Sequence, residues 1–264
     1  MCGIAGFSLP PRSRVERTLA AQSLLAAISE RGTDAVGFAY RTPAAAYAKV
    51  VKQRTPASQL LDRLAVPAEA RQLLVHVRDF TKGSPTIAAN NHPIRHGPVI
   101  GIHNGVIVND DELLEAHSCA RVESGMTVDS EAIFAVAAHS GSDPHALEEL
   151  RGSMAAAWLD EREPQAIYLA RGVGRPLWLG ESRSGVFFAS TKLALEVAER
   201  FCRMKLKKRE VSEGTLLTLV DGKVADRRQF RPTGALEESV LPAVRAPQER
   251  EVCLTRLAAI TAVV

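Results

Sequence analysis

The second residue of MCGIAGF is a cysteine, and a side chain this small behind the initiator methionine generally permits removal of Met1. Cys2 would then carry a free α-amine beside its own thiol. A thiol attacks as its thiolate, so a nucleophilic cysteine needs a base. The α-amine has an ordinary pKa of about 7.7–8.0 against about 8.5 for the thiol, and covalent geometry holds the two together. Cys2 is thus a candidate nucleophile with a built-in base, although most second-position cysteines have no catalytic role. Further candidates follow downstream: Arg78 and Thr81 in HVRDFTKG, His92 in NNHPI, Asn104 and Gly105 in HNGVIVND, and Asp129 in VDSE. Taken singly, each polar group has a plainer explanation. Arg78 reads as a surface charge, Asp129 as a helix cap, and Asn-Gly as a tight hairpin turn.

These residues need elements to position them. Residues 2–9 read as a short strand stopped by Pro10 and Pro11, since consecutive prolines cannot donate to a ladder. RVERTLAAQSLLAAISERG has apolar residues near helical spacing, with Gly32 where a C-terminal glycine is expected. AVGFAYR, AYAKVVK and LLVHVR read as strands, with a short helix around SQLLDRLA. PVIGIHNGVIVND places β-branched runs on either side of Asn104 and Gly105, a hairpin signal. Helices are expected at DSEAIFAVAAH and at DPHALEELRG, the latter capped by Asp143. From residue 153 strands dominate, interrupted by the helix KLALEVAERF. Strands, helices and more strands predict two sheets with helices packed outside.

The composition narrows the function classes. A chain of 264 residues fits one large domain or one domain with an appendage. Its formal charge of +3 is mild, and RMKLKKRE reads as a solvated edge without interleaved aromatics, which argues against nucleic-acid binding. Cys2, Cys119, Cys202 and Cys253 form no CxxC pair and no metal-ligand spacing. Neither a metal nor an organic cofactor is expected. Arg12, Arg14, Glu16 and Arg17 stand where a signal peptide needs an apolar stretch, and no apolar run approaches a membrane span. A cytoplasmic protein is expected. Beyond about Phe230, Pro232, Pro242 and Pro247 punctuate a linker-like stretch ahead of a short helix, which either packs back on its own domain or docks to a partner.

MCGIAGF, ERGTDAVGFA, HVRDFTKG, NNHPI, HNGVIVND and VDSEAI occur in that order. Together they resemble the glutaminase domain of the class II, N-terminal-nucleophile (Ntn) glutamine amidotransferases, over roughly residues 2–230, with 231–264 as a tail. The resemblance implies an α+β fold, the four-layer αββα sandwich with two facing antiparallel sheets. It implies that Cys2 attacks the glutamine carboxamide and forms a γ-glutamyl thioester. The Asn104 side chain and the Gly105 N–H would form the oxyanion hole. Arg78 would grip the substrate α-carboxylate, Asp129 its α-ammonium, and Thr81 would add a hydrogen bond, while His92 either orders the pocket or stabilises its loop. His103, Arg31, Gly32 and Asp34 are assigned to architecture.

Two positions depart from the family pattern. Asp79 and Lys82 stand where an aromatic and a neutral or imidazole side chain are usual, on the loop expected to cover glutamine. No phosphate-binding or pyrophosphatase motif follows, so the ammonia acceptor is expected to be a separate synthase or ATP-dependent amide ligase. Three functions are weighed: a glutaminase subunit acting on L-glutamine, an amidohydrolase acting on another γ-glutamyl compound, and a catalytically silent binding or assembly protein that has kept the fold. A retained Met1 would favour the last.

Overall fold

The computed structural model describes residues 1–141, 143–233 and 244–262. Two antiparallel sheets face each other, each with helices on its outer side. The first has seven strands in the order β11 (Lys207–Glu210), β9 (Trp178–Ser182), β10 (Gly185–Ala189), β1 (Gly3–Ser8), β4 (Gln72–Arg78), β2 (Ala35–Arg41) and β3 (Lys49–Gln53). The second has six, in the order β13 (Lys223–Gln229), β12 (Thr215–Val220), β8 (Ala166–Arg171), β7 (Gly152–Asp160), β6 (Val99–Ile107) and β5 (Ile94–His96). Helices α1 (Arg17–Ile28), α2 (Ala57–Leu61), α5 (Lys192–Phe201) and α6 (Pro247–Ala262) cover the first sheet. Helices α3 (Asp110–Ala116) and α4 (Ser130–Ser140) cover the second. The expected αββα layering is the architecture observed.

Three apolar clusters follow from this layering, and strand alternation feeds them. On β1, Ala5 and Phe7 pack toward α1 with Leu24 and Leu25, whereas Ile4 faces the other sheet. On β4, Leu73, Val75 and Val77 face the helices and Leu74 faces inward. The inter-sheet layer is completed by Ile100 and Ile102 of β6 and by Ala155, Ala157 and Leu159 of β7. Small side chains on β7 allow the sheets to approach, in a chain whose aromatic content is only 5%.

Several local expectations need correction. Asn104 and Gly105 form no hairpin turn: both lie inside β6, opposite Ala155 and Met154 of β7. The hairpin in this region joins β5 to β6 through Gly97, whose φ is 55°. Gly105 is glycine for another reason, since with φ at 147° a Cβ would stand 1.9 Å from the Ser153 carbonyl oxygen. Gly32 does not end α1, which gives way at Ser29 to a 3-10 turn over Ser29–Arg31. There a Cβ would stand 2.3 Å from the Arg78 carbonyl oxygen, so close packing selects glycine. DPHALEELRG folds as a 3-10 helix over Pro144–Glu149, with the Asp143 cap accepting from the His145 N–H at 3.0 Å. The basic stretch RMKLKKRE supplies β11, a short edge strand whose lysines discourage further pairing. Helix α3 has no counterpart in the sequence reading.

At the C-terminal end, Cys253 and Leu257 of α6 are fully buried against the layer containing α1 and α2. Pro242 and the last two residues of the tail lie outside the described residues. No helix among the described residues is long and apolar enough to cross a membrane.

Candidate active site

Period-two alternation and sheet register gather the candidates at one end of the inter-sheet space. Cys2 precedes β1 and continues the inward parity of Ile4; His76 and Arg78 continue that of Leu74, and Asn104 that of Ile100 and Ile102. Gly3 lies opposite Val77, and the His76 ring meets the His103 carbonyl through Nε2 at 3.1 Å, joining β4 to β6.

Cys2 is half-buried, and its thiol donates to the Asp79 carbonyl at 3.5 Å. Burial pushes the thiol above its ordinary value, against the downward pull of the N-terminal ammonium and Arg78. The resting sulfur is therefore protonated, and attack requires a proton acceptor. In this structure the terminal amine is that of Met1, and it pairs with the Asp79 carboxylate. The RGTD loop braces the site from beneath. Arg31 donates from Nε to the Cys2 carbonyl at 2.7 Å, and Asp34 accepts the Phe80 N–H at 2.8 Å.

Asn104 is completely buried, and neither Oδ1 nor Nδ2 has a hydrogen-bond partner among the described residues. A buried amide left open is costly unless something supplies its bonds. Beside it, Gly105 carries no side chain, and a Cβ there would meet the Ser153 carbonyl oxygen and the His103 ring. The Asn104 amide can present a donor to an oxygen arriving beside it.

Arg78 is buried, and its guanidinium donates to Asn91 Oδ1 at 2.5 Å, to the Lys82 carbonyl at 3.0 Å and to the Gly83 carbonyl. It ties the 79–91 loop to β4, and its charge faces the Cys2 region. Asp129 is buried at the start of α4 but does not cap it: Oδ2 accepts the Ile107 N–H of β6 at 2.7 Å. Burial raises its pKa to about 6, with Asp110 adding to the rise and the Ile107 bond opposing it. Thr81 is exposed on the loop and stands apart from this group.

Both nitrogens of the buried His92 ring lack partners among the described residues, and the ring stacks on His76 with centroids 4.1 Å apart. Burial keeps both rings uncharged; it lowers His76 to about 3 and His92 well below its ordinary value. Sequence reasoning missed His76, yet alternation in LLVHVR places it on the face of Arg78. His103 bonds Ser130 Oγ at 2.9 Å and lies toward α4, a structural placement.

The two departures from the family pattern have definite partners. Asp79 takes the terminal amine and also Arg245 at 3.4 Å. Lys82 turns to α3, contacting both oxygens of Asp110 at 2.7 Å and Asp111 at 3.3 Å. Arg121 grips the same two carboxylates at 2.7 and 2.6 Å and reaches Glu131 at 3.2 Å.

Two facing antiparallel sheets flanked by helices, with a cysteine leading an inner strand, define the Ntn-type sandwich. Solved structures share it, these two among them. One is the glutamine phosphoribosylpyrophosphate amidotransferase from B. subtilis, with a TM-score of 0.64, 17% identity, and coverage of 86% of this chain and 49% of that one. The other is a glutamine aminotransferase class-II domain protein from Silicibacter pomeroyi, with a TM-score of 0.56, 21% identity, and coverage of 88% and 100%. Residues 83–197 match the family model of the glutamine amidotransferase domain. The isomerizing glutamine–fructose-6-phosphate aminotransferase of Pseudomonas putida is 31% identical over 228 residues, 81% of this chain and 35% of its own. The Escherichia coli counterpart is 30% identical over 216 residues, 76% and 34%. The chain carries a class II glutamine amidotransferase domain. It spans about a third of the length of those aminotransferases.

Proposed function

We propose that this chain hydrolyses L-glutamine to glutamate and ammonia with Cys2 as nucleophile. Once Met1 is removed, the Cys2 amine takes the thiol proton and the sulfur attacks the side-chain carboxamide. The carbonyl oxygen becomes an oxyanion and is met by Asn104 Nδ2 and the Gly105 N–H. Collapse of this intermediate returns the proton to the leaving nitrogen, releases ammonia and leaves a γ-glutamyl thioester. Water then frees glutamate and restores the thiol. Arg78 and Asp129 carry the charges that complement the α-carboxylate and α-ammonium of free glutamine, and the uncharged His76–His92 stack walls the pocket. Thr81 joins the substrate only after a loop movement.

The observation that carries this reading is Asn104, a wholly buried amide with both polar atoms open, in the space that Cys2 enters. The ammonia is proposed to pass to a separate synthase or ATP-dependent amide ligase. The deciding experiment follows glutamate release by the mature protein from L-glutamine and from γ-glutamyl amides. Cys2→Ala should abolish release from glutamine while leaving the fold intact. Unchanged turnover in that variant would sink the proposal, and a strong preference for other γ-glutamyl amides would replace glutamine as substrate. Intact-mass measurement verifies that Met1 is gone, and co-purification from the native host identifies the acceptor.

A further inference from the structure

The inter-sheet space has a second end, away from Cys2. Ser8 closes β1, Arg41 closes β2 and Gln72 opens β4; the register sets Ser8 and Arg41 each opposite Gln72. All three have inward parity. A cavity of about 110 Å³ opens between these strand ends and the turns bearing Gln165 and Asp221 on the other sheet, with Arg71 also on its wall. That is several times the space one water needs. Ser8 on its wall lies six positions beyond Cys2, roughly 20 Å along the strand.

Arg41 is 2% exposed and lines this cavity, and it donates from Nη1 to the Glu163 carbonyl at 3.2 Å. Nε and Nη2 are buried without a partner among the described residues. Those two nitrogens share one edge of the guanidinium, the edge that holds a carboxylate through two parallel hydrogen bonds. Of the carboxylates near it, Asp221 on the cavity wall stands 3.7 Å from Arg71, and the two that act on Arg41 are committed elsewhere. Glu161 binds Arg95 at 2.7 and 2.9 Å and the Ala48 N–H at 3.0 Å, and Asp160 is held by Arg162 at 2.6 Å. Gln72 is also buried, and its Oε1 lacks a donor among the described residues. A bare oxyanion would satisfy the arginine and leave that oxygen wanting.

We propose that this cavity binds a small carboxylate bearing an adjacent hydroxyl or ammonium group, an α-hydroxy or α-amino acid. The carboxylate lies on the Nε/Nη2 edge of Arg41, and the neighbouring O–H or N–H donates to Gln72 Oε1. The site is independent of the Cys2 chemistry.

The test titrates the isotope-labelled full chain with L-lactate, acetate and inorganic phosphate at constant ionic strength, following the Arg41 Nε–H resonance and, in parallel, heat of binding. L-Lactate should shift that resonance saturably, with a Kd on the order of 1 mM, and acetate and phosphate should bind several-fold more weakly. Arg41→Lys keeps the charge but loses the fork, and should weaken lactate by about tenfold or more. Gln72→Leu should erase the preference for lactate over acetate while leaving glutamine turnover unchanged. The proposal fails if the resonance does not shift saturably, if Arg41→Lys binds lactate like the parent, or if Gln72→Leu keeps the preference. Should Arg41→Lys not fold, the parent titration and Gln72→Leu decide.

Discussion

Asn104 and Asp129 show how burial sets the chemistry available to single side chains. Replacing Asn104 by Ala removes one oxyanion donor, and should lower kcat for glutamine by about 100- to 1,000-fold with little change in KM. Steady-state assays, with circular dichroism as a check on folding, read that split. Asp129 has a folded pKa of about 6 against an ordinary 3.8. Between those values the folded chain holds a proton that the unfolded chain has lost, so stability falls as pH rises through this window. This one group accounts for roughly 3 kcal/mol. Urea unfolding at the two ends of the window should show the slope, and Asp129→Asn should lack it. Above pH 6 the ionised carboxylate is available to an ammonium, so KM for glutamine should fall as pH rises through that value. Arg78 was legible as a charge but not as a hub: only the folded loop brings the Asn91, Lys82 and Gly83 oxygens around it.

At the scale of elements, the strands that carry the site were legible because each is long enough to express alternation, as in LLVHVR and AVGFAYR. Helix α3 has seven residues, too few for a helical period to stand out from the charge-rich text around it. The Asn-Gly pair misled because turn propensity is a local signal, whereas Gly105 answers to the Ser153 carbonyl on the neighbouring strand. Gly105→Ala should therefore be severely destabilising, by more than about 2 kcal/mol, through both clash and backbone conformation. Its thermal midpoint and soluble yield report the loss. The Lys82 link to Asp110 and Asp111 fastens the 79–91 loop to α3. Since Lys82 is 39% exposed, its link contributes little to global stability after solvent screening. Lys82→Met should instead loosen the loop, accelerating hydrogen exchange over residues 79–87 and raising KM for glutamine several-fold.

For the molecule as a whole, the layering follows from amphipathic strands and helices, but which helices cover which sheet is set by long-range contacts that no local pattern encodes. The packing of α6 is such a case. Leu257 is fully buried, so Leu257→Ala should cost about 2–5 kcal/mol in urea unfolding. A change near zero would mean that α6 detaches in solution. Ahead of that helix, the Arg245 and Ala246 N–H groups both donate to the Glu30 carbonyl at 2.8 Å, and the Arg245 side chain stands 3.4 Å from Asp79, the same carboxylate that takes the terminal amine. As long as Met1 is retained, its amine and the Arg245 side chain thus share one acidic anchor. A gene trimmed before codon 245 would strip the arginine from that mooring, and excision of Met1 moves the terminal cation to Cys2. The choice of expression vector therefore tunes the nucleophile's surroundings before any codon inside the pocket is touched.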